Sequence, residues 1–265
     1  MNNTLPSAGK RPAILHRLRQ AVAKIEGQET VLAPGHRVLS FDVAEIDRVL
    51  AGGLAPASLH EIAASTWHDL GAAIGFALAL AAHARDQRET LWIQTDFAAL
   101  ESGNLYGPGL GMFGLPCSRL LILKVSHPLD ALWAMEESLK CRALSSVVCE
   151  FPNDAALADL TTTQRLTHAA RECGLFGFLL RHRSTPLASS ADTRWKISTA
   201  SSVPDRFGGI GRTAFAASLV KNRRGPGGQW TIVWDHHERT FSTLSRNMAP
   251  PAFDRSGRTM FARIA

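Results

Sequence analysis

Cysteine is scarce in this 265-residue chain, and long apolar runs are absent. Cys117, Cys141, Cys149 and Cys173 lie far apart and form no C-x-x-C pair, so a zinc knuckle and a disulfide framework are both disfavoured, and reduced core residues are expected. The longest apolar run, residues 72–82, is too short to span a bilayer. The first residues, MNNTLPSAGKR, lack the apolar core of a signal peptide. We therefore expect a cytoplasmic protein without membrane contact.

Acidic residues are outnumbered by basic ones. The chain has 23 Asp and Glu against 29 Lys and Arg, which gives a net charge of +6. This balance favours an acidic or nucleic-acid partner, although a soluble protein with surplus arginine is equally consistent with it. The hydrophobic fraction of 45% is high enough for a sizeable core.

The residues that would bind a phosphate are also missing. Residues 39–82 have the layout of a P-loop unit: an approach segment, a buried strand, a loop and an apolar helix. A P-loop requires G-x-x-x-x-G-K-[ST], but Leu70 and Gly71 stand where the lysine and the hydroxyl residue belong. We therefore expect no ATP hydrolysis and no cofactor; weak nucleotide binding without turnover stays open. Ser65 and Thr66 could cap the following helix as readily as bind an anion.

The pattern of apolar segments predicts an α/β fold. Continuous apolar strands that alternate with helices are typical of a mostly parallel sheet covered on both faces. After residue 181 the pattern changes to alternating strands, which predicts an antiparallel extension. Strands are predicted at 58–63, 90–95, 119–125, 146–150, 176–181, 193–199, 213–221, 229–235 and 239–244, and helices at 42–50 (with Asp42 as a candidate cap), 71–85, 129–142 and 160–173.

Composition divides the chain into three segments. Residues 1–38 are an amino-terminal helix and linker, in which the apolar spacing over 13–26 predicts an amphipathic helix. Residues 39–244 form the core. Residues 245–265 contain Pro250-Pro251 and four arginines, which predicts a flexible tail.

Several motifs, in order, resemble the RecA core. They are Leu39-Ser40-Phe41-Asp42, then Gly52-Gly53-Leu54-Ala55-Pro56, Leu59-His60-Glu61-Ile62, the strand from Trp92 to Leu100, and Leu219-Val220-Lys221-Asn222-Arg223. The resemblance covers residues 39–243. Three features of the carboxyl half look most like the ImuA family within this superfamily: the Thr193-Arg194-Trp195-Lys196-Ile197 strand, the Asn222-Arg223-Arg224-Gly225 turn and the strand with Trp230 and Trp234. SulA-type division inhibitors are the nearest competitor.

The resemblance to the ImuA family implies a non-catalytic RecA-like adaptor in SOS-induced error-prone translesion DNA synthesis. It implies a polymerase-like ImuB-type partner and an error-prone replicative-type polymerase complex, with RecA and single-stranded DNA as further candidates. Two alternatives are a SulA-like inhibitor that binds the tubulin-like division protein, and an ATP-dependent recombinase, which the degenerate P-loop disfavours. Asp96 and Glu150 match acidic positions that act on water and Mg²⁺ in RecA proteins. Without the P-loop groups we interpret them as remnants of that site.

Basic and aromatic residues are concentrated in the carboxyl third, a mixture that suits single-stranded nucleic acid. By the resemblance to RecA proteins, Lys221 and Arg223 match residues that, in RecA filaments, reach the nucleotide bound to the neighbouring subunit. Burial of the tryptophans in a sheet core, with solvated arginines around them, is the competing interpretation. The candidate DNA- or partner-binding residues are Arg183, Arg194, Trp195, Lys196, Lys221, Arg223, Arg224, Arg246, Arg255 and Arg258.

Overall fold

The helices and strands alternate through most of the chain. The computed structural model describes residues 38–84, 88–152, 157–184, 187–202, 209 and 211–243. The helices are α1 (Ala44–Val49), α2 (Leu70–Ala84), α3 (Asp96–Ser102), α4 (Gly107–Met112), α5 (Pro128–Leu139) and α6 (Leu160–Cys173). The strands are β1 (Ser58–Ala64), β2 (Glu89–Thr95), β3 (Leu120–Val125), β4 (Leu144–Phe151), β5 (Phe176–Arg181), β6 (Thr193–Thr199), β7 (Ala214–Asn222), β8 (Gly228–Asp235) and β9 (Thr240–Thr243).

All nine of these strands belong to one sheet, in the order β3-β2-β4-β5-β1-β6-β7-β8-β9. Every neighbouring pair from β3 to β6 is parallel, and every pair from β6 to β9 is antiparallel. Parallel neighbours require crossover connections, which α2, α3, α5 and α6 supply. The predicted parallel sheet with an antiparallel extension is therefore confirmed.

One face of the sheet is covered by α2 and by the approach segment, and its core is aromatic. Helix α2 is apolar almost all round, as predicted for a buried helix. Phe76 on α2 meets the Trp195 ring of β6 at a centroid distance of 5.6 Å, and Phe41 lies 5.3 Å from the same ring. These rings join the antiparallel extension to the parallel part of the sheet.

The opposite face is covered by α5 and α6. Its core is aliphatic and includes Leu59, Ile93, Val147 and Leu179 from four parallel strands. Both faces of β1, β4 and β5 are therefore buried, which explains why these strands read as continuous apolar runs. Side chains that reach the carboxyl ends of these strands are held by packed elements on both sides.

The Gly52-Gly53 motif makes a close backbone approach. Leu39 and Leu54 pair through two backbone hydrogen bonds of 2.9 and 2.8 Å. A Cβ at Gly53 would lie 2.3 Å from the Leu39 carbonyl oxygen, and the residue has a φ of +137°. Only glycine fits there, so this pair of glycines positions the segment that leads into β1.

The structure corrects three details of the sequence interpretation. Asp42 does not cap α1: the N-cap residue is Val43, and the Asp42 amide instead donates a turn hydrogen bond to the Ser40 hydroxyl oxygen. Cys117 and Cys141 are exposed, and only Cys149 is a core residue. Helices α3 and α4 were not predicted, because α3 is short and the GPGLGM sequence of α4 has poor helix propensity.

Candidate functional site at the carboxyl edge of the parallel strands

The loop after β1 is closed by hydrogen bonds to β6. The Ser65 amide donates to the Ile197 carbonyl oxygen at 2.8 Å, and the Ser198 hydroxyl donates to the Ser65 hydroxyl oxygen at 2.6 Å. The chain then makes a single 3₁₀ turn, Trp67–Asp69, before α2 begins. Thr66 caps this turn, in agreement with the capping alternative for Thr66; Ser65 bonds across to β6 instead.

The carboxylate of Asp69 is a negatively charged group within the degenerate loop itself. Its carboxylate accepts hydrogen bonds from the Thr66 amide (3.1 Å) and hydroxyl (2.8 Å), and from the Thr199 amide (2.8 Å) and hydroxyl (3.1 Å). Burial alone would raise the pKa of Asp69, but the bonds from Thr199 and Thr66 outweigh it and lower the pKa. The Thr66 amide and hydroxyl, two donors of this loop, are therefore already used by a carboxylate.

The start of α2 offers no phosphate ligand. Leu70 is half-buried and packs against the aromatic core, while a Cβ at Gly71 would meet no atom within 4 Å. Neither position carries an ammonium or a hydroxyl group. Trp67 is 68% exposed and stacks on His68 with a ring-centroid distance of 3.6 Å. The loop thus presents an aromatic surface in place of backbone amides.

Glu150, near the end of β4, is fully buried and fully bonded. One carboxylate oxygen accepts from the Ser102 hydroxyl and from His182 at 3.1 Å; the other accepts from Gln94 at 2.9 Å and from the Trp92 indole at 3.4 Å. Burial raises the pKa of Glu150, but the hydrogen bonds from His182, Ser102 and Gln94 dominate and hold the pKa low. With four donors around it, this carboxylate has no lone pair directed at a metal ion.

His182 connects three elements at this edge. It follows β5, and its second ring nitrogen lies 2.8 Å from Glu101 on α3. Burial lowers the pKa of His182, but its bonds to Glu150 and Glu101 outweigh that and raise the pKa. Sequence reasoning missed both His182 and Glu101. The available signal was a histidine directly after a buried strand, at the edge where parallel sheets collect polar residues.

Asp96, the other acid expected from the resemblance, is exposed at the start of α3. Its carboxylate accepts a hydrogen bond from the Ser126 hydroxyl at 2.8 Å. Near Glu150 the surface holds a cavity of about 160 Å³, lined by residues of α2, of α4 and of the segment that connects α3 to α4. Ligand pockets usually occupy roughly 300 Å³ or more, so this cavity is too small for a nucleotide.

Glu61 on β1 is a further buried acid, and it binds basic residues of the carboxyl third. Its carboxylate accepts from Arg181 at 3.0 Å and from Arg194, and Arg194 also donates to the Leu187 carbonyl oxygen. Burial raises the pKa of Glu61, but the charges of Arg181 and Arg194 outweigh it and lower the pKa. Arg194, a predicted DNA- or partner-binding residue, is thus part of a buried ion cluster.

Two more of the predicted basic residues are held by the protein backbone. Lys221 donates to the Ser189 carbonyl oxygen, and burial lowers the pKa of its ammonium group, helped by the charge of Arg223. Arg224 donates to the Gly53 carbonyl oxygen, and burial lowers the pKa of its guanidinium. Both side chains therefore have structural partners in addition to any role at the surface.

The remaining predicted binding residues fall into three groups. Trp195 is completely buried, which is the core placement that the sequence left open, so its ring offers no face to a base in this arrangement. Arg183 and Arg223 are exposed, and Lys196 is half-buried beside an open depression of about 980 Å³ over β6, β7 and β8. Arg246, Arg255 and Arg258 lie outside the described residues, as does the predicted helix at 13–26.

Within the described part of the chain, no group of three or more metal-ligating side chains comes together. His236 and His237 lie in the turn before β9, and His236 bonds to the Met112 carbonyl oxygen and to Thr213. Among the described residues there is also no helix with the length and apolar content needed to cross a bilayer.

Comparison with known proteins gives two findings. The ImuA proteins of two strains of Caulobacter vibrioides (NA1000 / CB15N and ATCC 19089 / CB 15) are each 28% identical to this chain over 212 residues, which is 74% of this chain and 82% of the relative. The crystal structure of the RadB recombinase aligns with a TM-score of 0.54 at 14% identity, over 78% of this chain and 100% of that chain. No family model matches. The predicted resemblance to the ImuA family and the predicted RecA-like core are both confirmed.

Proposed function

We propose that this chain, which resembles the ImuA family and has a RecA-like core, is a non-catalytic accessory protein of SOS-induced mutagenesis. In this role it binds a polymerase-like partner of the ImuB type and links it to an error-prone replicative-type polymerase at damaged DNA. RecA and single-stranded DNA are further candidate partners. The protein contributes binding surfaces, and its partners contribute the chemistry.

The observation that carries the proposal is the internal carboxylate of the degenerate P-loop. Asp69 takes up the amides and hydroxyls of Thr66 and Thr199, and a phosphate placed there would meet a second negative charge. The lysine that stabilises the transferred phosphoryl group is replaced by Leu70. ATP hydrolysis at this loop would lack both its binding site and its main electrostatic contribution.

The surroundings of Glu150 support the same conclusion. In a nucleotide-hydrolysing core an acid at this edge helps to hold Mg²⁺, for which it needs free lone pairs. Here the carboxylate is occupied by Ser102, His182, Gln94 and Trp92. These contacts join β2, β4, α3 and the end of β5, so the acid stabilises the fold at the edge where ligands usually bind.

Partner binding then belongs to the surface of the carboxyl third. Arg183 and Arg223 are exposed cations, and Lys196 borders the open depression over the antiparallel strands. The tail at 245–265 adds arginines outside the described residues. Arginine-rich segments of this composition can order on a partner and contact it through a few anchor residues.

Two measurements test the proposal. Phosphate release from ATP with Mg²⁺, with and without single-stranded DNA, should equal that of a buffer blank. Pull-down of the ImuB-type partner should succeed with the full chain and fail when residues 245–265 are removed. The matched control is the full-length chain with Arg246, Arg255 and Arg258 changed to Ala, which separates loss of charge from loss of length.

Some results would contradict the proposal. DNA-stimulated phosphate release that disappears in Asp96→Ala would show a working ATPase. Wild-type binding by the truncated chain would place the partner interface elsewhere, with residues 13–26 as the next candidate. Filamentous cells on expression, with no effect on damage-induced mutation, would favour the division-inhibitor alternative.

A further inference from the structure

Strand β3 forms an unusually apolar free edge of the sheet. It pairs with β2 and ends the strand order, so its outer backbone groups have no strand partner among the described residues. Leu121 is 52% exposed, Ile122 48% and Leu123 37%. Edge strands of soluble proteins are usually protected by charge, proline or a covering element. Three consecutive exposed aliphatic residues at an edge indicate a surface that is covered by a strand.

The apolar residues lie on both faces of this edge. In the β2–β3 register, Leu121 and Leu123 pair with Leu91 and Ile93, so they share one face of the sheet, while Ile122 lies on the other. An added strand would therefore find aliphatic neighbours above and below the sheet. This arrangement fits another strand with apolar residues on both faces and disfavours a polar peptide.

Charged side chains lie at both ends of β3: Arg119 precedes it, and Lys124 and Asp96 lie at its end. At its start, Arg119 is exposed on the side chain by 41% and forms an ion pair with Glu89. At its end, the Asp96 carboxylate is held next to the strand by its hydrogen bond to Ser126. An antiparallel neighbour with the same sequence would bring each start beside the opposite end. Arg119 of one copy would then approach Asp96 of the other, twice by symmetry.

We propose that β3 pairs antiparallel with β3 of a second copy of this chain, around a two-fold axis at Ile122. This register places Leu121 opposite Leu123 and Leu120 opposite Lys124, so no like charges face each other. The single lysine of the strand, Lys124, meets an aliphatic residue, and its ammonium group is held by a hydrogen bond to the Asn104 side-chain oxygen. The aliphatic pairing in this register, together with the approach of Arg119 in each copy to Asp96 of the other, favours a second copy over an unrelated strand.

The first test is the mass of the full-length chain in solution, measured by light scattering coupled to size exclusion. We expect a concentration-dependent species of twice the 28.7 kDa of one chain. Ile122→Lys should shift it to the monomer, because two lysines would meet at the axis. Val220→Lys is the matched control, since Val220 is 52% exposed on β7, away from this edge, and should leave the dimer unchanged.

The second test fixes the register. Opposite residues of antiparallel strands have Cα atoms about 4.5–5.5 Å apart, which is within the range that a disulfide bridges. In a background where the exposed Cys117 and Cys141 are Ser, Ile122→Cys should give a covalent dimer on mild oxidation, and Val220→Cys should not.

Three outcomes would overturn the proposal. They are a strictly monomeric chain, a dimer that survives Ile122→Lys, and an Ile122→Cys variant that does not cross-link beyond the Val220→Cys control. A dimer that is lost when residues 1–37 are deleted, with β3 intact, would instead assign the edge to the amino-terminal segment of the neighbouring copy.

Discussion

Replacing Asp69 by alanine tests whether the internal carboxylate holds the degenerate P-loop together. The change removes an acceptor of four hydrogen bonds, two from Thr66 and two from Thr199. Loss of a helix cap costs about 0.5–2 kcal/mol, and a hydrogen bond to a charged group contributes about 1.5–3 kcal/mol. Because Thr66 and Thr199 are themselves exposed, water can replace some of these hydrogen bonds in the variant. We therefore expect the free energy of unfolding to fall by roughly 2 kcal/mol.

The assay is thermal unfolding followed by circular dichroism. For a chain of this size about 1 kcal/mol corresponds to a shift in Tm of roughly 2–4 °C, so the variant should melt about 4–8 °C lower. Asp69→Asn keeps one acceptor oxygen, so its Tm should lie between those of the wild type and Asp69→Ala. Asp96→Ala is the control: Asp96 is exposed, its carboxylate bonds to Ser126, and its removal should change stability by less than about 0.5 kcal/mol.

The pH dependence of stability provides the result that could refute the role assigned to Asp69. The pKa of Asp69 is lower in the folded protein than the value of about 3.9 in an unfolded chain. Its contribution is therefore present above that unfolded pKa and is lost as the pH falls through the folded pKa. The difference in Tm between wild type and Asp69→Ala should be full at pH 6 and shrink below about pH 4. Equal stability at pH 6, or a difference that persists unchanged at pH 3, would refute the role assigned to this carboxylate.

Three further predictions concern the other charged residues and the amino terminus. Glu150→Ala should destabilise the fold by about 3–5 kcal/mol because it leaves His182 partly unpaired in a buried site. Because the pKa of His182 is raised in the folded protein, its contribution is present below the unfolded pKa of about 6.5 and is lost as the pH rises through the folded pKa, so His182→Asn should flatten the decline in Tm over that range. Arg183→Glu and Arg223→Glu should each weaken any single-stranded DNA binding and reduce the salt slope by about one; unchanged slopes would exclude phosphate contact. Deleting residues 1–27 should lower solubility or change the elution volume, and identical melting and elution profiles would show that the segment is dispensable.

The sequence predicts the architecture because apolar patterning is its main determinant. The buried strands β1, β4 and β5 read as continuous apolar runs, and β6 alternates because the approach segment and α2 bury only one face. Helix α6 was predicted with its observed bounds, since Asp159 caps it and Gly174 adopts the left-handed conformation that ends it. Short helices with weak propensity, such as α4, carry no comparable signal.

The site was harder to predict because its partners are distant in sequence. The absence of a lysine at Leu70 is visible in the sequence, but the binding of Asp69 to Thr199 joins residues 130 positions apart. In the same way, Arg194 and Lys221 look like surface cations until the fold places Glu61 and the Ser189 carbonyl next to them. Composition identifies a basic carboxyl third; only the packing separates cations that stabilise the fold from those that face solvent.

The three buried carboxylates of the core have a common arrangement. Asp69 and Glu150 lie near the carboxyl edge of the parallel strands, Glu61 lies in the middle of β1, and each is neutralised or bonded by groups from at least one other element. In a nucleotide-binding core, acidic and hydroxyl groups at this edge must stay available to metal and phosphate. Here they are used to join β1 to β5 and β6, the loop to β6, and β4 to α3. A core organised in this way gains rigidity at the edge where ligands would enter, whereas Arg183, Arg223 and strand β3 remain exposed.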